Sequence, residues 1–261
     1  NAFVWRWRQT HDDEGNRKKL SKKKAAELSI LSGRSMCPHC KTQLKSYDLV
    51  PVGSWLSVGG KCRYCHENIG VQYPLVELLT SVLFAGSYLW WPYEFSTLGW
   101  LQLVMWLAVV VGLVILAVYD LRWLLLPFKL IYPLVGLAVA IVVLRAIDTS
   151  DIAVVVNAGL AAVVLSGLFY GLHTVSQGKW MGGGDVVAAP MLGLVAGGLG
   201  EVFLLVFGAS ILGIAIGIPM IIRNKDRKLQ IPFGPMLFAS AYLIFLFGSQ
   251  VVDWYFDRLL L

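Results

Sequence analysis

The chain has 261 residues, of which 57% are hydrophobic and only 15% are charged, and its formal net charge is +6. This composition excludes an ordinary soluble domain and indicates a polytopic membrane protein. The positive charge lies in blocks, at 17–24, 34–63 and 223–228, between apolar runs that carry almost no charge. Such blocks are typical of cytoplasmic loops, so we expect no nucleic-acid partner.

The first 36 residues are expected to combine the end of a membrane helix with a cytoplasmic insertion. Asn1–Arg6 is typical of the last turns of a membrane helix that runs into basic residues. We therefore expect a further helix upstream of this segment. The lysine-rich stretch that continues to residue 36 is expected to be a solvated insertion, partly helical and partly disordered.

Residues 37–73 are expected to form a small cytoplasmic module that binds a metal. The module contains two C-x2-C knuckles, built from Cys37, Cys40, Cys62 and Cys65. This spacing is typical of a tetrahedral zinc site, and four thiolates complete the coordination sphere of a structural zinc ion. Two disulfides are the alternative, but they are rare in the reducing cytoplasm. His39 and His66 lie beside the knuckles. They could replace a cysteine as a metal ligand, but solvent-exposed histidines are the more typical interpretation at these positions.

The stretch between the knuckles is too poor in apolar residues to fold alone, so the metal is expected to act as a staple. Its small apolar cluster consists of Leu44, Leu49, Val50, Val52, Trp55, Leu56 and Val58.

Residues 74–261 are expected to form the transmembrane domain. Its apolar segments are 74–91, 98–119, 128–147, 151–173, 186–199, 202–222 and 233–249. Most are near the ~20 residues that cross a bilayer, whereas 186–199 is short and glycine-rich and is expected to be half-buried or broken. They predict an all-α polytopic membrane protein with about seven transmembrane helices, or eight with the upstream helix. If residues 6–73 are cytoplasmic, all 22 Lys and Arg except Arg145 and Arg258 lie on the inner side, as the positive-inside rule requires.

Two aspartates lie at the predicted cytoplasmic ends of helices. Asp120 directly follows an apolar run, and Asp185 follows the triple glycine Gly182–Gly184. Taken singly, Asp120 could end its helix and pair with Arg122, and Asp185 could be a helix N-cap. Taken together, two carboxylates on the same side favour a catalytic dyad that shares one proton. The ionised carboxylate would activate a water, and the protonated one would stabilise the oxyanion of a hydrolysed amide.

Two further features are more ambiguous. Glu77 is a lone acid early in the first apolar segment, where it could pair with a basic loop or face the active site. Ile231–Pro235 opens the last helix, and a proline just inside a helix start fits by geometry alone.

The chain resembles the type IV prepilin peptidases from about residue 33 to about residue 248. The resemblance rests on the two knuckles, Tyr73–Glu77, Asp120 with Pro127, the G-x-G-D motif that ends at Asp185, and Ile231–Pro235, in this order. A lone G-x-G-D also occurs in presenilin-like aspartyl proteases, but the full set is specific. Two departures are the lysine-rich insertion at 7–32 and an aromatic residue after Pro127, where the family usually has Asn or Asp.

The resemblance implies a multi-pass enzyme of the cell inner membrane, with Asp120 and Asp185 as its catalytic pair. Such an aspartic endopeptidase removes the basic leader of prepilins or pseudopilins of type IV pili and type II secretion after a glycine, at the cytoplasmic face. Many members then methylate the new N-terminus with S-adenosylmethionine, whose binding site has no local signature in this sequence. The expected partners are these substrates and the lipid bilayer. The alternatives are a presenilin-like protease with other substrates and a non-enzymatic, zinc-containing membrane scaffold.

Overall fold

The computed structural model describes residues 9–11, 18, 21, 34–224 and 232–259. The chain divides into two compact units, Asn1–Ala85 and Gly86–Leu261. In the described ranges the regular structure is helical, apart from isolated β-bridges. Most of the lysine-rich insertion and of the predicted loop at 223–232 lies outside the described residues, so the expectations for these segments stay predictions.

In the first unit, two short hairpin-like turns carry the cysteines. Each turn is closed by an antiparallel bridge, Met36 with Gln43 and Lys61 with Asn68. Between the turns lie a 3-10 helix, Ser46–Leu49, and a short helix α1, Gly53–Ser57. Helix α2, Gln72–Leu89, follows and corresponds to the first predicted apolar segment.

The apolar cluster between the knuckles does not form a buried core. Leu49, Val50 and Leu56 are 49%, 52% and 65% exposed, and neither short helix contains a buried residue. The buried side chains of the module are instead those of Cys37 and Cys62. The interior of this unit therefore centres on its cysteines, as expected for a fold too small to be held by apolar packing alone.

The second unit consists of six helices in the described ranges: α3 (Thr97–Trp123), α4 (Phe128–Thr149), α5 (Ala153–Val175), α6 (Gly183–Ala196), α7 (Leu199–Asn224) and α8 (Gly234–Leu259). The ends of these helices follow local signals. Ser96 caps α3 by accepting a hydrogen bond from the Gly99 N–H (2.9 Å). Leu124, Ser150 and Gly197 end α3, α4 and α6 in the left-handed conformation.

Five of these helices, α3, α4, α5, α7 and α8, are long and apolar enough to cross a membrane, so the chain is a multi-pass membrane protein. All seven predicted apolar helices are present, but two do not qualify as full spans. Helix α6 has 14 residues and extends about 21 Å, less than the ~30 Å hydrocarbon core. Helix α2 has 18 residues but is interrupted by polar side chains in its first two turns.

The short helix α6 occupies the centre of the second unit. It packs against α4, α5, α7 and α8, and Ala188, Ala189 and Met191 are completely buried. Gly193 lies so close to the backbone of Ala162 in α5 that a Cβ there would collide with it. Small residues therefore permit close helix packing around α6, as is usual for helices within membranes.

Candidate active site and metal centre

Asp120 lies in the last turn of α3, at the end of a helix as predicted, although the helix extends beyond the apolar segment that ends at residue 119. The helix continues to Trp123 because the chain turns only at Leu124. The Asp120 side chain is buried, with 7% exposed. Its Oδ2 accepts a hydrogen bond from the N–H of Gly234, at the start of α8 (3.2 Å). This bond fixes one carboxylate oxygen between α3 and α8.

Glycine at position 234 is needed for this contact. A Cβ on Gly234 would lie only 2.6 Å from Asp120 Oδ2. The suggested pairing of Asp120 with Arg122 is not observed between these two described residues, since the hydrogen bond to the Asp120 carboxylate comes from Gly234. Residues two apart on a helix do not face each other, which explains the missing pair.

Asp185 is the third residue of α6 and is also buried, with 8% exposed. The suggestion that Asp185 is an N-cap is wrong, because α6 begins earlier than predicted and its N-cap is Gly182. The Asp185 N–H bonds instead to the Gly182 carbonyl (3.2 Å). The two carboxylates interact electrostatically across the helices. Two buried carboxylates at the ends of membrane helices form a functional-site candidate.

The two glycines of the G-x-G-D motif differ in how much space surrounds them for a side chain. A Cβ on Gly184 would lie 2.7 Å from the Cβ of Leu126, in the loop that follows α3. A Cβ on Gly182 would meet only Asp185 Oδ2, at an ordinary 3.6 Å. Gly184 therefore lets the start of α6 pack directly on the loop that follows Asp120.

His173 holds the loop that precedes Asp185, and our sequence analysis did not single it out. It lies in the last turn of α5, and its Nδ1 is 2.8 Å from the carbonyl oxygen of Met181. A carbonyl can only accept, so Nδ1–H is the donor in this hydrogen bond. Its position in the sequence could have drawn attention to it, because His173 is the one histidine of the apolar part of the chain and the other three lie within the first 66 residues.

The two cysteine knuckles have the same backbone conformation. In each, the N–H of the residue after the second cysteine bonds to the carbonyl of the first: Lys41 to Cys37 (2.9 Å) and His66 to Cys62 (2.8 Å). Lys41 and His66 both have positive φ angles, 57° and 59°. This repeated turn points both pairs of thiols toward one another.

The four sulfur atoms lie within 4.8 Å of one another. Cys37 Sγ and Cys65 Sγ are 3.9 Å apart, close to the ~3.8 Å edge of a tetrahedron with Zn–S bonds of about 2.3 Å. Hydrogen bonds with the Thr42 hydroxyl and N–H lower the pKa of the Cys40 thiol to about 6, whereas burial raises the pKa of the Cys37 thiol. Within the described ranges neither knuckle histidine belongs to this group.

Asp48 joins the 3-10 helix to the second knuckle. It accepts hydrogen bonds from Arg63 Nε (3.0 Å) and from the Tyr64 hydroxyl (2.9 Å). Burial alone would raise the pKa of Asp48, but hydrogen bonds from the Lys45 N–H, Tyr64 and Arg63 lower it overall. Asp48 therefore braces the knuckle from outside the sulfur cluster.

Glu77 binds a backbone N–H in the loop between the two knuckles. Glu77 Oε2 accepts a hydrogen bond from the N–H of Val52 (2.8 Å), just before α1. Val52 has a φ of 57°, an unfavourable conformation for a β-branched residue. The Glu77 carboxylate therefore stabilises a strained turn and ties it to α2.

Two family models match the chain: the Bacterial Peptidase A24 N-terminal domain at residues 1–91 and the Type IV leader peptidase family at residues 107–218. The prepilin leader peptidase/N-methyltransferase of Pseudomonas aeruginosa is 31% identical over 234 residues, which cover 89% of this chain and 78% of the relative. The protein of the same name from Legionella pneumophila is 32% identical over 237 residues, covering 90% and 79%. That of Bacillus subtilis is 28% identical over 231 residues, covering 87% of both chains. No solved structure was found to match.

Proposed function

Because this chain belongs to the type IV leader peptidase family, we propose that it is a membrane aspartic endopeptidase that removes the leader of prepilin-like proteins after a glycine. The observation that carries the proposal is that Asp120 and Asp185 are both buried where the end of α3 and the start of α6 meet, with Gly184 packed on Leu126 between them in the chain. A membrane scaffold has no need of such a pair. Family membership also favours prepilin-type substrates over those of presenilin-like proteases.

The two carboxylates would work as one acid–base unit. The ionised carboxylate removes a proton from a water, and the water oxygen attacks the carbonyl carbon of the scissile peptide. The protonated carboxyl donates a hydrogen bond to the carbonyl oxygen as negative charge develops there. The C–N bond then breaks, and the nitrogen leaves with a proton from the pair. The Gly234 N–H occupies Oδ2 of Asp120, which leaves Oδ1 for the water or the substrate.

We place both carboxylates at the cytoplasmic face. Short connections alternate the direction of the helices, so the end of α3 and the start of α6 belong to the same end of the unit. The connection between α7 and α8 belongs to this same end and carries the basic block at 223–228, and the positive-inside rule assigns such loops to the cytoplasm. An impermeant thiol reagent added from outside should label a cysteine introduced at position 94 and should not label one at position 180. The reverse pattern would contradict this orientation.

We propose zinc as the metal of the cysteine module. The donor set fits a closed tetrahedral site, in which all four positions are thiolates and none is left for catalysis. The ion would replace the missing apolar core of the module. Single Cys→Ser variants should lose zinc and weaken substrate capture more than the cleavage step. A variant that lacks metal yet processes substrate like the wild type would contradict the role of the metal-bound module in substrate capture.

N-methylation of the new N-terminus is proposed from the names of the relatives alone. The described residues provide no set of side chains that we assign to S-adenosylmethionine, so no step is derived through it. Mass spectrometry of the product, with and without this donor, reports cleavage and methylation separately.

The decisive experiment incubates the full-length protein in lipid with a prepilin that retains its leader. Asp120→Asn and Asp185→Asn should each lower cleavage by at least about 100-fold, because an amide cannot serve as base or share the acidic proton. Asp253→Asn is the matched control, since this carboxylate is exposed on α8. Activity above about a tenth of wild type in both active-site variants would contradict the mechanism.

A further inference from the structure

A polar cavity lies between the helices of the second unit, at the end opposite Asp120 and Asp185. It has a volume of about 200 Å³, far more than the roughly 10–15 Å³ that one water needs. Its walls come from the segment before α3, from Trp106 of α3, and from the end of α4, the start of α5, the end of α6, the start of α7 and the middle of α8. Trp106, on its wall, precedes Asp120 on α3 by about 21 Å of helix. The cavity is therefore separate from the candidate active site.

The cavity contains one cationic side chain in a fixed orientation. The guanidinium of Arg145 stacks over the ring of Tyr93, with 3.7 Å to the ring centroid. Among the residues that the structure describes, Arg145 has no carboxylate within salt-bridge distance. A planar guanidinium held on an aromatic face presents its donors as a fork that suits a phosphate group.

The cavity wall also carries two carboxylates, Asp151 and Glu201, neither of which has an ion-pair partner in the described ranges. The Asp151 carboxylate accepts a hydrogen bond from the N–H of Ala153 (2.8 Å), whereas Glu201 makes no such bond to the described residues. Glu201 lies in the first turn of α7, and its side chain folds back over Gly198, where a Cβ would collide with its Oε2. A Cβ on Gly248 would also crowd Glu201 Cγ, at 3.1 Å. Tyr93 interacts electrostatically with both Arg145 and Glu201. Two glycines thus make room for an acid that shares the cavity with an oriented cation.

We propose that this cavity binds the headgroup of a zwitterionic phospholipid with a primary amine, a phosphatidylethanolamine. Arg145 would hold the phosphate and Glu201 the ammonium group, which a two-carbon linker keeps close to the phosphate. The remaining wall combines the polar side chains of Asn157 and Ser249 with apolar ones such as Ile141, Val142 and Ile244, on helices that span the membrane. The ends of membrane helices lie at headgroup depth, and pockets with basic residues between them are suited to lipid headgroups.

Native mass spectrometry of the full-length protein, with pairs of dioleoyl lipids in competition, tests this site. The wild type should retain phosphatidylethanolamine at least about tenfold over phosphatidylcholine, because a trimethylated amine has no N–H to donate to Glu201. Retention should fall stepwise along the series with zero, one, two and three N-methyl groups. Equal retention along the series would overturn the proposal without any variant.

Substitutions separate the two halves of the site. Arg145→Gln should weaken retention of both phosphatidylethanolamine and phosphatidylglycerol, whereas Glu201→Gln should weaken only the former. Arg258→Gln and Glu94→Gln are matched controls, because both side chains are exposed and outside the cavity. If Arg145→Gln fails to fold, Arg145→Lys keeps the charge without the fork and should retain less phosphatidylethanolamine than wild type. Unchanged lipid preference in folded Arg145 and Glu201 variants would overturn the assignment.

Discussion

Gly184→Ala tests whether the contact between α6 and the loop after α3 sets the position of Asp185. The added Cβ would lie 2.7 Å from the Cβ of Leu126. Two carbon atoms pack best at about 3.5–4.0 Å, so either α6 or the loop must move by roughly 1 Å. A shift of this size in a catalytic group can lower the rate by about 100-fold, while overpacking costs about 1–3 kcal/mol of stability.

The assay is kcat/KM for prepilin cleavage by the full-length protein in lipid, together with its thermal unfolding temperature. Gly183→Ala is the matched control in the same motif, because its Cβ would be 3.9 Å from the nearest atom, Cε1 of His173. Gly182→Ala should also be mild, since Gly182 has a φ of −68° that alanine adopts without strain. We therefore expect a large loss of activity for Gly184→Ala alone, in a protein that still inserts and folds.

Equal losses for alanine at the three glycines would refute this reasoning. The motif would then be selected for backbone flexibility or for contact with the substrate, and not for the close approach to Leu126. Wild-type activity in Gly184→Ala would show that the contact with Leu126 does not set the geometry of the carboxylates.

Three further substitutions probe other contacts. Gly234→Ala should lower kcat by at least about tenfold, because its Cβ would displace the Asp120 carboxylate from the backbone N–H; single-turnover cleavage measures this. Glu77→Gln should destabilise the cysteine module, since the strained turn at Val52 loses a charge-assisted hydrogen bond; faster hydrogen exchange of the module's amides would report this loss. Asp48→Asn should make the stability of the cysteine module less dependent on pH in the acid range, as measured by unfolding at several pH values. In the wild type the lowered pKa of Asp48 stabilises the fold above about pH 4, and this stabilisation is lost as the pH falls through the folded-state pKa.

Matched controls distinguish these effects from a general loss of stability. Gly213→Ala adds a methyl group within α7 at an ordinary 3.6 Å from Phe233 and should leave kcat unchanged. Glu67→Gln removes an exposed acid beside the second knuckle and should change neither hydrogen exchange nor the pH profile. If the controls behave like the test variants, the contacts of Gly234, Glu77 and Asp48 are not the cause of the observed effects.

The sequence alone predicted the features that depend on local pattern. Uninterrupted apolar runs predicted the helices, because burying apolar surface in lipid requires length and composition but no particular partner. The spacing of the cysteines predicted their convergence, since a C-x2-C turn brings its own two thiols together. Helix boundaries were less accurate. Helix α8 continues to Leu259, past the predicted apolar segment that ends at 249. Helix α3 extends past Asp120, because the chain turns at Leu124, in the left-handed conformation, and not where hydropathy falls.

Only the tertiary structure decided which atoms meet. Nothing in the local sequence around Asp120 indicates that the Gly234 N–H bonds to it, or that Gly184 packs on Leu126. These contacts join segments far apart in the chain, and their distances follow from how α3, α6 and α8 pack, which hydrophobic periodicity does not specify. The same holds for the cavity around Arg145, which six different helices line. Residue types and spacing therefore set the available chemistry, and helix packing set the geometry in which those groups meet.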